Sequence, residues 1–372
     1  MGKSVNRSWL AACLLAVAAC VAPRVPEAAP AISVPAQLRV RVGNSVRAIP
    51  IEEYVAGSAL SEVSPTNVPA EAARRIFEVQ AVLARTYASA HAGRHAREGF
   101  DLCDATHCQL YEPDRLRTSR FADLARDAAT NTAGLVVTFG NRLADALYHS
   151  DCGGHTASGE AVWGGAPEAY LYGIRDQVPG LSHTTWTLDR APDELRRALA
   201  RDARTDVGRR LDSIRVARRD ASNRASSIEL RGEHTKVVRG EDFRAVVNAA
   251  LGARAVRSTR FSVQKTGGVF RLSGTGFGHG VGLCQLGAAA RARRGDSLAQ
   301  IVGAYYRGAK IVLARALCPP RASYNRTVNA RDPWAYPYDR RSPAARERQG
   351  SRRPRGGRRQ SAASRRTARR RP

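Results

Sequence analysis

Lysine is nearly missing from this chain: only four of its 60 lysine and arginine residues are lysine. The formal net charge of +27 is therefore an arginine charge, and its placement argues against a nucleic-acid surface. Seventeen arginines against three acids fall between Arg321 and Pro372, which puts about half of the excess in one segment. That segment also holds Pro, Ser and Gly with few aliphatics, the composition of a disordered basic tail. Such a tail suits anionic lipid, anionic wall polymer or solvent as well as nucleic acid, so nucleic acid is not the expected partner. Long apolar runs are lacking too. Beyond the first twenty residues none approaches the roughly 18 that a bilayer-spanning helix needs, which excludes a multi-span membrane protein. Internal repeats and a steady βαβ alternation are absent, and so is a G-x-S-x-G nucleophile elbow.

What is present begins with an export signal. Lys3 and Arg7 precede an apolar stretch from Leu10 to Cys20, too short to span a bilayer and right for a signal peptide. Val17-Ala18-Ala19-Cys20 has the form of a bacterial lipoprotein cleavage box, with Cys20 as the lipid-bearing residue; cleavage near Ala28-Ala29 is the competing option. The expected organisation is a signal over 1–20, a Pro/Ala linker over 21–35, a folded domain over 36–318 and an Arg-rich tail over 319–372. The expected location is the periplasm or cell envelope, with membrane contact only through an anchor at Cys20. Five cysteines remain outside the signal, Cys103, Cys108, Cys152, Cys284 and Cys318, enough for two disulfides or a metal site.

Glycine occupies every second position from Gly274 to Gly282. In an extended chain this pattern leaves one face as bare backbone and presents Thr275, Phe277, His279 and Val281 on the other. The spacing is not a nucleotide fingerprint. Counting from Gly274, Gly276, Gly278 or Gly280, the sixth position is His279, Val281, Leu283 or Gln285, and no Lys-Ser or Lys-Thr follows.

Local patterns place strands at 38–42, 135–138, 145–150, 261–264 and 269–273, with turns at Gly43-Asn44, Gly140-Asn141 and Gly267-Gly268. A helix is expected after Asn67 and Pro69, with Ile76, Val79, Leu83 and Tyr87 on one face and its end before Gly93. The polar stretch 189–210 reads as helical, and two short helices are expected over 286–294 and 298–306. The class is α+β, with mixed sheets and helices around a substrate groove and a disordered basic C-terminal tail.

Glu62, between Leu60 and Val63 and just before a proline-broken loop, is a candidate general acid whose pKa partial burial would raise. Arg85, on the long helix, is a possible partner. Cys103, His107 and Cys108 lie within six residues and can supply zinc ligands, completed by His95 or His91; a Cys103–Cys108 disulfide is the alternative. His149, Ser150, His279 and Gln285 are polar groups suited to contacting an extended sugar polymer.

Taken in order, EEYVAGSALSEV, AVLARTYA, GFDLCDATHCQLY, YHSDCGGHTASGEAVWG, LYGIRD, GTGFGHGVGLCQLGAAARARRG and IVGAYYRGAKI strongly resemble the SpoIID/LytB family of bacterial cell-envelope proteins. The resemblance runs from about residue 36 to 316. It implies a lytic transglycosylase that cuts peptidoglycan glycan strands stripped of their stem peptides, with Glu62 as general acid and then base. One carboxyl group suffices, since the muramic C6 hydroxyl closes a 1,6-anhydro ring and no water is consumed. It also implies Arg85, His149, Ser150, His279 and Gln285 as substrate contacts. A structural zinc would sit on Cys103, His107, Cys108 and His95, and an N-acetylmuramoyl-L-alanine amidase would be a companion enzyme. The alternative within the same family is a non-catalytic amidase enhancer or peptidoglycan-binding protein. Two departures stand out: Glu62-Val63-Ser64-Pro65 carries one residue more before the proline than the usual motif, and Cys284 replaces a residue that is often serine.

Overall fold

The computed structural model describes residues 32–317. The expected signal, Cys20, Cys318 and the basic tail lie outside the described residues. Of the expected linker, Ser33–Pro35 is in place as a first strand, β1.

Period-two burial builds the next sheet. In β2 (Gln37–Val42) Leu38 and Val40 face inward, and Val42 pairs with Ser45 across the two-residue Gly43-Asn44 turn to start β3 (Ser45–Pro50). Pro50 then opens α1 (Ile51–Glu62), nine of whose twelve residues are buried, and α2 (Ala70–Ala90) follows after Pro69. The α2 face expected from the sequence is inside, but so are Phe77, Gln80, Val82, Ala84 and Arg85, because α1, α4 (Ala122–Asn131) and a later helix over Gln285–Arg293 pack around it. Between them lie β4 (Leu102–Cys103), added parallel to β2, and the single turn α3 (Arg115–Thr118).

The chain continues through β5 (Leu135–Phe139), β6 (Arg142–Leu143), β7 (Tyr148–His149) and α5 (Gly159–Trp163). The strand expected over 145–150 is thus reduced to two residues. Its neighbours instead make isolated bridges, Asp151 to Phe277 and Ala157 to Val281.

A separate apolar cluster begins at Trp186. It is built by β8 (Thr185–Arg190), α6 (Pro192–Leu199), β9 (Leu211–Arg219), β10 (Ala225–Gly232), β11 (Thr235–Arg239), α7 (Gly240–Leu251), β12 (Phe261–Thr266) and β13 (Val269–Thr275). Two antiparallel three-stranded sheets, β11-β10-β9 and β12-β13-β8, hold it. The helix expected over 189–210 is therefore only α6; Trp186 and Leu188 alternate inward and make the start of that stretch a strand. The 261–264 and 269–273 hairpin is present, with Thr266 opposite Val269 across Gly267-Gly268.

The chain then returns to the first core with β14 (Leu283–Cys284), α8 (Gln285–Arg293), α9 (Leu298–Tyr305), β15 (Lys310–Leu313) and β16 (Arg315–Leu317). Ser297 and Gln300 form a reciprocal capping box that starts α9. β14 lies parallel to β7, β15 antiparallel to β5, and β16 parallel to β1. The α+β class holds.

Candidate functional site

Glu62 is the last residue of α1, and the chain after it turns extended at Val63. The segment 109–112 is laced to this helix end. The Leu110 N–H donates to Glu62 Oε1 at 3.0 Å, and the Glu112 N–H donates to Ser61 Oγ at 2.9 Å. Arg115 adds bonds to the Ser61 carbonyl and to Ser64 Oγ.

A directional hydrogen-bond chain approaches Glu62 from the other side. The Tyr54 hydroxyl donates to Gln109 Oε1 at 3.2 Å, and Gln109 Nε2 donates to the Tyr148 hydroxyl at 3.2 Å. With its lone pair so occupied, Tyr148 has its proton left for the carboxylate of Glu62. Burial pushes the Tyr148 phenol well above its usual range, so it remains a neutral donor. Burial likewise raises the Glu62 pKa; the Leu110 and Tyr148 bonds oppose the shift, and Glu112 adds to it. The C-terminal end of α1, negative by its own dipole, favours the protonated form as well.

Tyr148 is positioned by the parallel β7–β14 pair, in which Leu283 lies opposite Tyr148 and Cys284 opposite His149. The Leu286 N–H donates to the Ser150 carbonyl at 3.0 Å. Exposed Ser150 and half-exposed Gln285 are thereby brought beside the Tyr148 strand; Gln285 Nε2 reaches Gln80 Oε1 at 3.2 Å. His279 is half-buried against Trp163, with ring centroids 5.0 Å apart, and its Nδ1 accepts the Val281 N–H. Burial, with Arg244 and Arg224 nearby, pushes its pKa down to about 3, so it is a neutral imidazole.

Two of the expected polymer contacts are elsewhere. Arg85 is 0% exposed: Nε bonds Glu52 at 3.0 Å, Nη2 pairs with the other Glu52 oxygen, and the remaining donors reach the Leu135 and Ala129 carbonyls. It braces α2 against α1 and α4 and offers nothing to a polymer. His149 is 4% exposed, covered by the glycine segment, with Nδ1 on the Val281 carbonyl.

That glycine segment is not the pleated strand its spacing suggested. β13 stops at Thr275, and Gly276, Gly278, Gly280 and Gly282 all take positive φ, between 71° and 106°. The alternation records a repeated left-handed kink that L side chains resist. The bare face is also filled from within. A Cβ on Gly280 would sit 2.4 Å from the buried Arg224 guanidinium, whose Nη2 holds the Cys152 carbonyl at 2.9 Å.

The four residues expected to hold a metal do converge. Cys108 Sγ lies 3.3 Å from Cys103 Sγ and 3.3 Å from His95 Nε2. His107 Nδ1 is 3.8 Å and 3.6 Å from the two sulfurs. Tetrahedral zinc with Zn–S of about 2.3 Å and Zn–N of about 2.0 Å needs about 3.8 Å between sulfurs and about 3.5 Å between sulfur and nitrogen, so every contact lies within about 0.5 Å of what the ion requires. His95 Nδ1 donates to Glu98 at 2.7 Å, which turns Nε2 toward the sulfurs. The Cys103 thiol is pushed down by the Cys108 and imidazole contacts. A disulfide is not formed, since both cysteines are free.

The residues missed by sequence reasoning are Tyr148, Gln109, Tyr54 and the Leu110 amide. Tyr148 and Gln109 stand inside quoted motifs, but only the folded chain turns them toward Glu62.

These motifs coincide with known families. A family model described as stage II sporulation protein matches residues 42–139, and a domain family of unknown function matches residues 181–282. An uncharacterized protein of Brachyspira hyodysenteriae is 30% identical over 269 residues, covering 72% of this chain and 68% of its own. The chain belongs to the SpoIID/LytB family. Stage II sporulation protein D of Bacillus subtilis is 28% identical over 286 residues, 73% of this chain and 77% of its own. The amidase enhancer of the same organism is 25% identical over 293 residues, 67% of this chain and 39% of its own. Membership in this SpoIID family places the protein in work on the cell wall or envelope, and no helix among the described residues is long and apolar enough to cross a membrane.

Proposed function

We propose that this protein is a peptidoglycan lytic transglycosylase acting on glycan strands freed of stem peptides, with Glu62 as its acid and base. The observation that carries the reading is the single carboxyl group held at the end of α1, its pKa raised by burial, between the Leu110 amide and Tyr148. A protonated Glu62 gives its proton to the glycosidic oxygen between N-acetylmuramic acid and N-acetylglucosamine. The C1–O bond breaks, and the carboxylate so formed takes the proton of the muramic C6 hydroxyl as that oxygen bonds C1. The 1,6-anhydro product retains all atoms of the strand, and Glu62 ends as it began, protonated.

Tyr148 steadies the carboxylate in the middle of this cycle, and the Tyr54–Gln109 chain keeps its hydroxyl aimed. Ser150, His279 and Gln285 are the proposed polymer contacts; neutral His279 beside Trp163 suits an uncharged N-acetylglucosamine unit of the strand. His95, Cys103, His107 and Cys108 would hold zinc as a structural ion. Held there, it would fix the loop that continues into Gln109 and Leu110 and so support the acid's partners.

The test is a digest of denuded glycan strands analysed by mass spectrometry. The protein should release 1,6-anhydro-muramyl products, and Glu62→Gln should release none while melting as a folded protein. An active Glu62→Gln protein would overturn the assignment. Similarity to an amidase enhancer favours a second reading, a wall-binding protein that stimulates an N-acetylmuramoyl-L-alanine amidase. In that case Glu62→Gln would leave wall binding and amidase stimulation unchanged, and no anhydro product would form with either protein.

A further inference from the structure

We propose that His149, Cys152 and Cys284 form a second metal site, one for a structural divalent ion of the zinc class beneath the Tyr148 strand. One imidazole nitrogen and the two sulfurs lie within 4.8 Å of one another. All three residues are buried, the cysteines at 0% exposure.

The backbone treats both sulfurs as acceptors. The amides of Cys152 and Gly287 donate to Cys284 Sγ at 3.3 and 3.4 Å, and the Gly154 amide donates to Cys152 Sγ at 3.3 Å. A neutral thiol accepts weakly, whereas a thiolate draws such donors strongly, so three amides converging on two sulfurs suit a thiolate pair. Two buried thiolates need two positive charges nearby, and Arg224, whose Nη2 holds the Cys152 carbonyl, brings one.

His149 supplies the independent observation. Its Nδ1 lies 3.1 Å from the Val281 carbonyl and so carries the proton. Nε2 is then an unprotonated lone pair, and it is buried with no partner. An imidazole that donates one N–H to a carbonyl and keeps the other nitrogen bare is arranged as metal-binding histidines are. Asp176 stays outside this three-ligand group: its Oδ2 lies 3.5 Å from Cys152 Sγ, but Tyr305 and Arg291 already bind its two oxygens at 2.7 and 2.6 Å. A dication would cancel the two thiolates, and Asp176 keeps Arg291 as its own partner. The neighbouring Asp151–Cys152–His183 group competes poorly. Both Asp151 oxygens are already taken, by His183 and the Gly153 amide on one and by the Thr184 amide on the other.

Such an ion would clamp the turn after β7 to the start of α8, fixing Tyr148 and Gln285 against each other. It does not depend on the glycan-cleaving activity.

The test compares zinc content of the full-length chain, by native mass spectrometry and elemental analysis, with that of Cys152→Ser/Cys284→Ser. The double variant should carry one zinc fewer per chain, whatever the His95 cluster binds. Equal counts overturn the site. So does an intact denatured mass lower by two hydrogens with Cys152 and Cys284 in one linked peptide, which would mean that the pair had lost its protons and electrons to a disulfide donor. Should the double variant fail to fold, Cys103→Ser/Cys108→Ser loaded with Co2+ asks the same question. It should retain one ion with a thiolate-to-cobalt charge-transfer band, and a chain without that band overturns the site.

Discussion

Replacing Tyr148 by phenylalanine removes one hydroxyl from the partners of Glu62 and leaves the ring in place. The consequence has a definite sign. The Tyr148 bond lowers the Glu62 pKa against the larger effect of burial, so its loss moves ionisation upward. A hydrogen bond to a charged group contributes about 1.5–3 kcal/mol, and one pKa unit corresponds to about 1.4 kcal/mol. Glu62 is half-buried, so water partly replaces the hydroxyl and the low end applies. The expected shift is about one pH unit. The assay is release of anhydro-muramyl ends from denuded strands across pH. Activity needing protonated Glu62 falls as pH rises through its pKa, and this falling limb should move to higher pH in Tyr148→Phe. The rate on the plateau should drop as well, because the carboxylate formed mid-cycle has lost a partner. A falling limb that stays in place, or moves to lower pH, would refute the hydrogen-bond chain as the control of Glu62.

The same raised pKa predicts a stability effect. Below the unfolded-state value both states are protonated and the cost of burial is absent; as pH rises from there toward the folded value, stability is lost. Glu62→Gln should therefore melt higher than wild type near pH 7, the gap closing below about pH 4, the ordinary range of a glutamate; calorimetry at both pH values checks it. Arg85→Met should cost about 1–3 kcal/mol by leaving the buried Ala129 and Leu135 carbonyls and the partly exposed Glu52 without their donor, with turnover per folded molecule retained. Denaturant titration alongside active-site-normalised rates decides this, and an unchanged midpoint would contradict the brace. Gly280→Ala combines positive φ with a clash on buried Arg224 and should cost about 1–3 kcal/mol, whereas Gly43→Ala meets open space and should cost only the backbone strain. Chelation should lower the melting temperature and zinc should restore it; melting that ignores chelator would argue against metal on the His95 cluster.

How much of this was legible depended on whether one period or one neighbourhood dominated. The β2–β3 hairpin, the α2 core face and the clustering of His95, Cys103, His107 and Cys108 were readable because turn residues, a 3.6-residue stripe and close sequence spacing are local signals. Helix α1 left no stripe, since it is buried on almost every side and its small residues, Ala56, Gly57, Ser58 and Ala59, face neighbouring helices as readily as the apolar ones. Tyr148 was hidden for a different reason. Its partner Glu62 lies 86 positions away along the chain and meets it only after β7 has paired with β14, itself 135 positions further on. The glycine run misled because period two fits both a pleated strand and a chain kinked at each second residue; close packing against the 147–153 backbone and the buried Arg224 selects the kinks.

The three-residue ladder between β1 and β16 has a mechanical consequence. The strands are parallel, with Ser33 beside Arg315 and Pro35 beside Leu317. A pull toward the N-terminus at Ile32 and an opposing pull beyond Leu317 would run along both strands in opposite senses. Such a load shears the rungs together, whereas an antiparallel closure would peel them one at a time. A force applied between the two ends would thus meet its resistance at this small clasp before it reached Glu62 or either core.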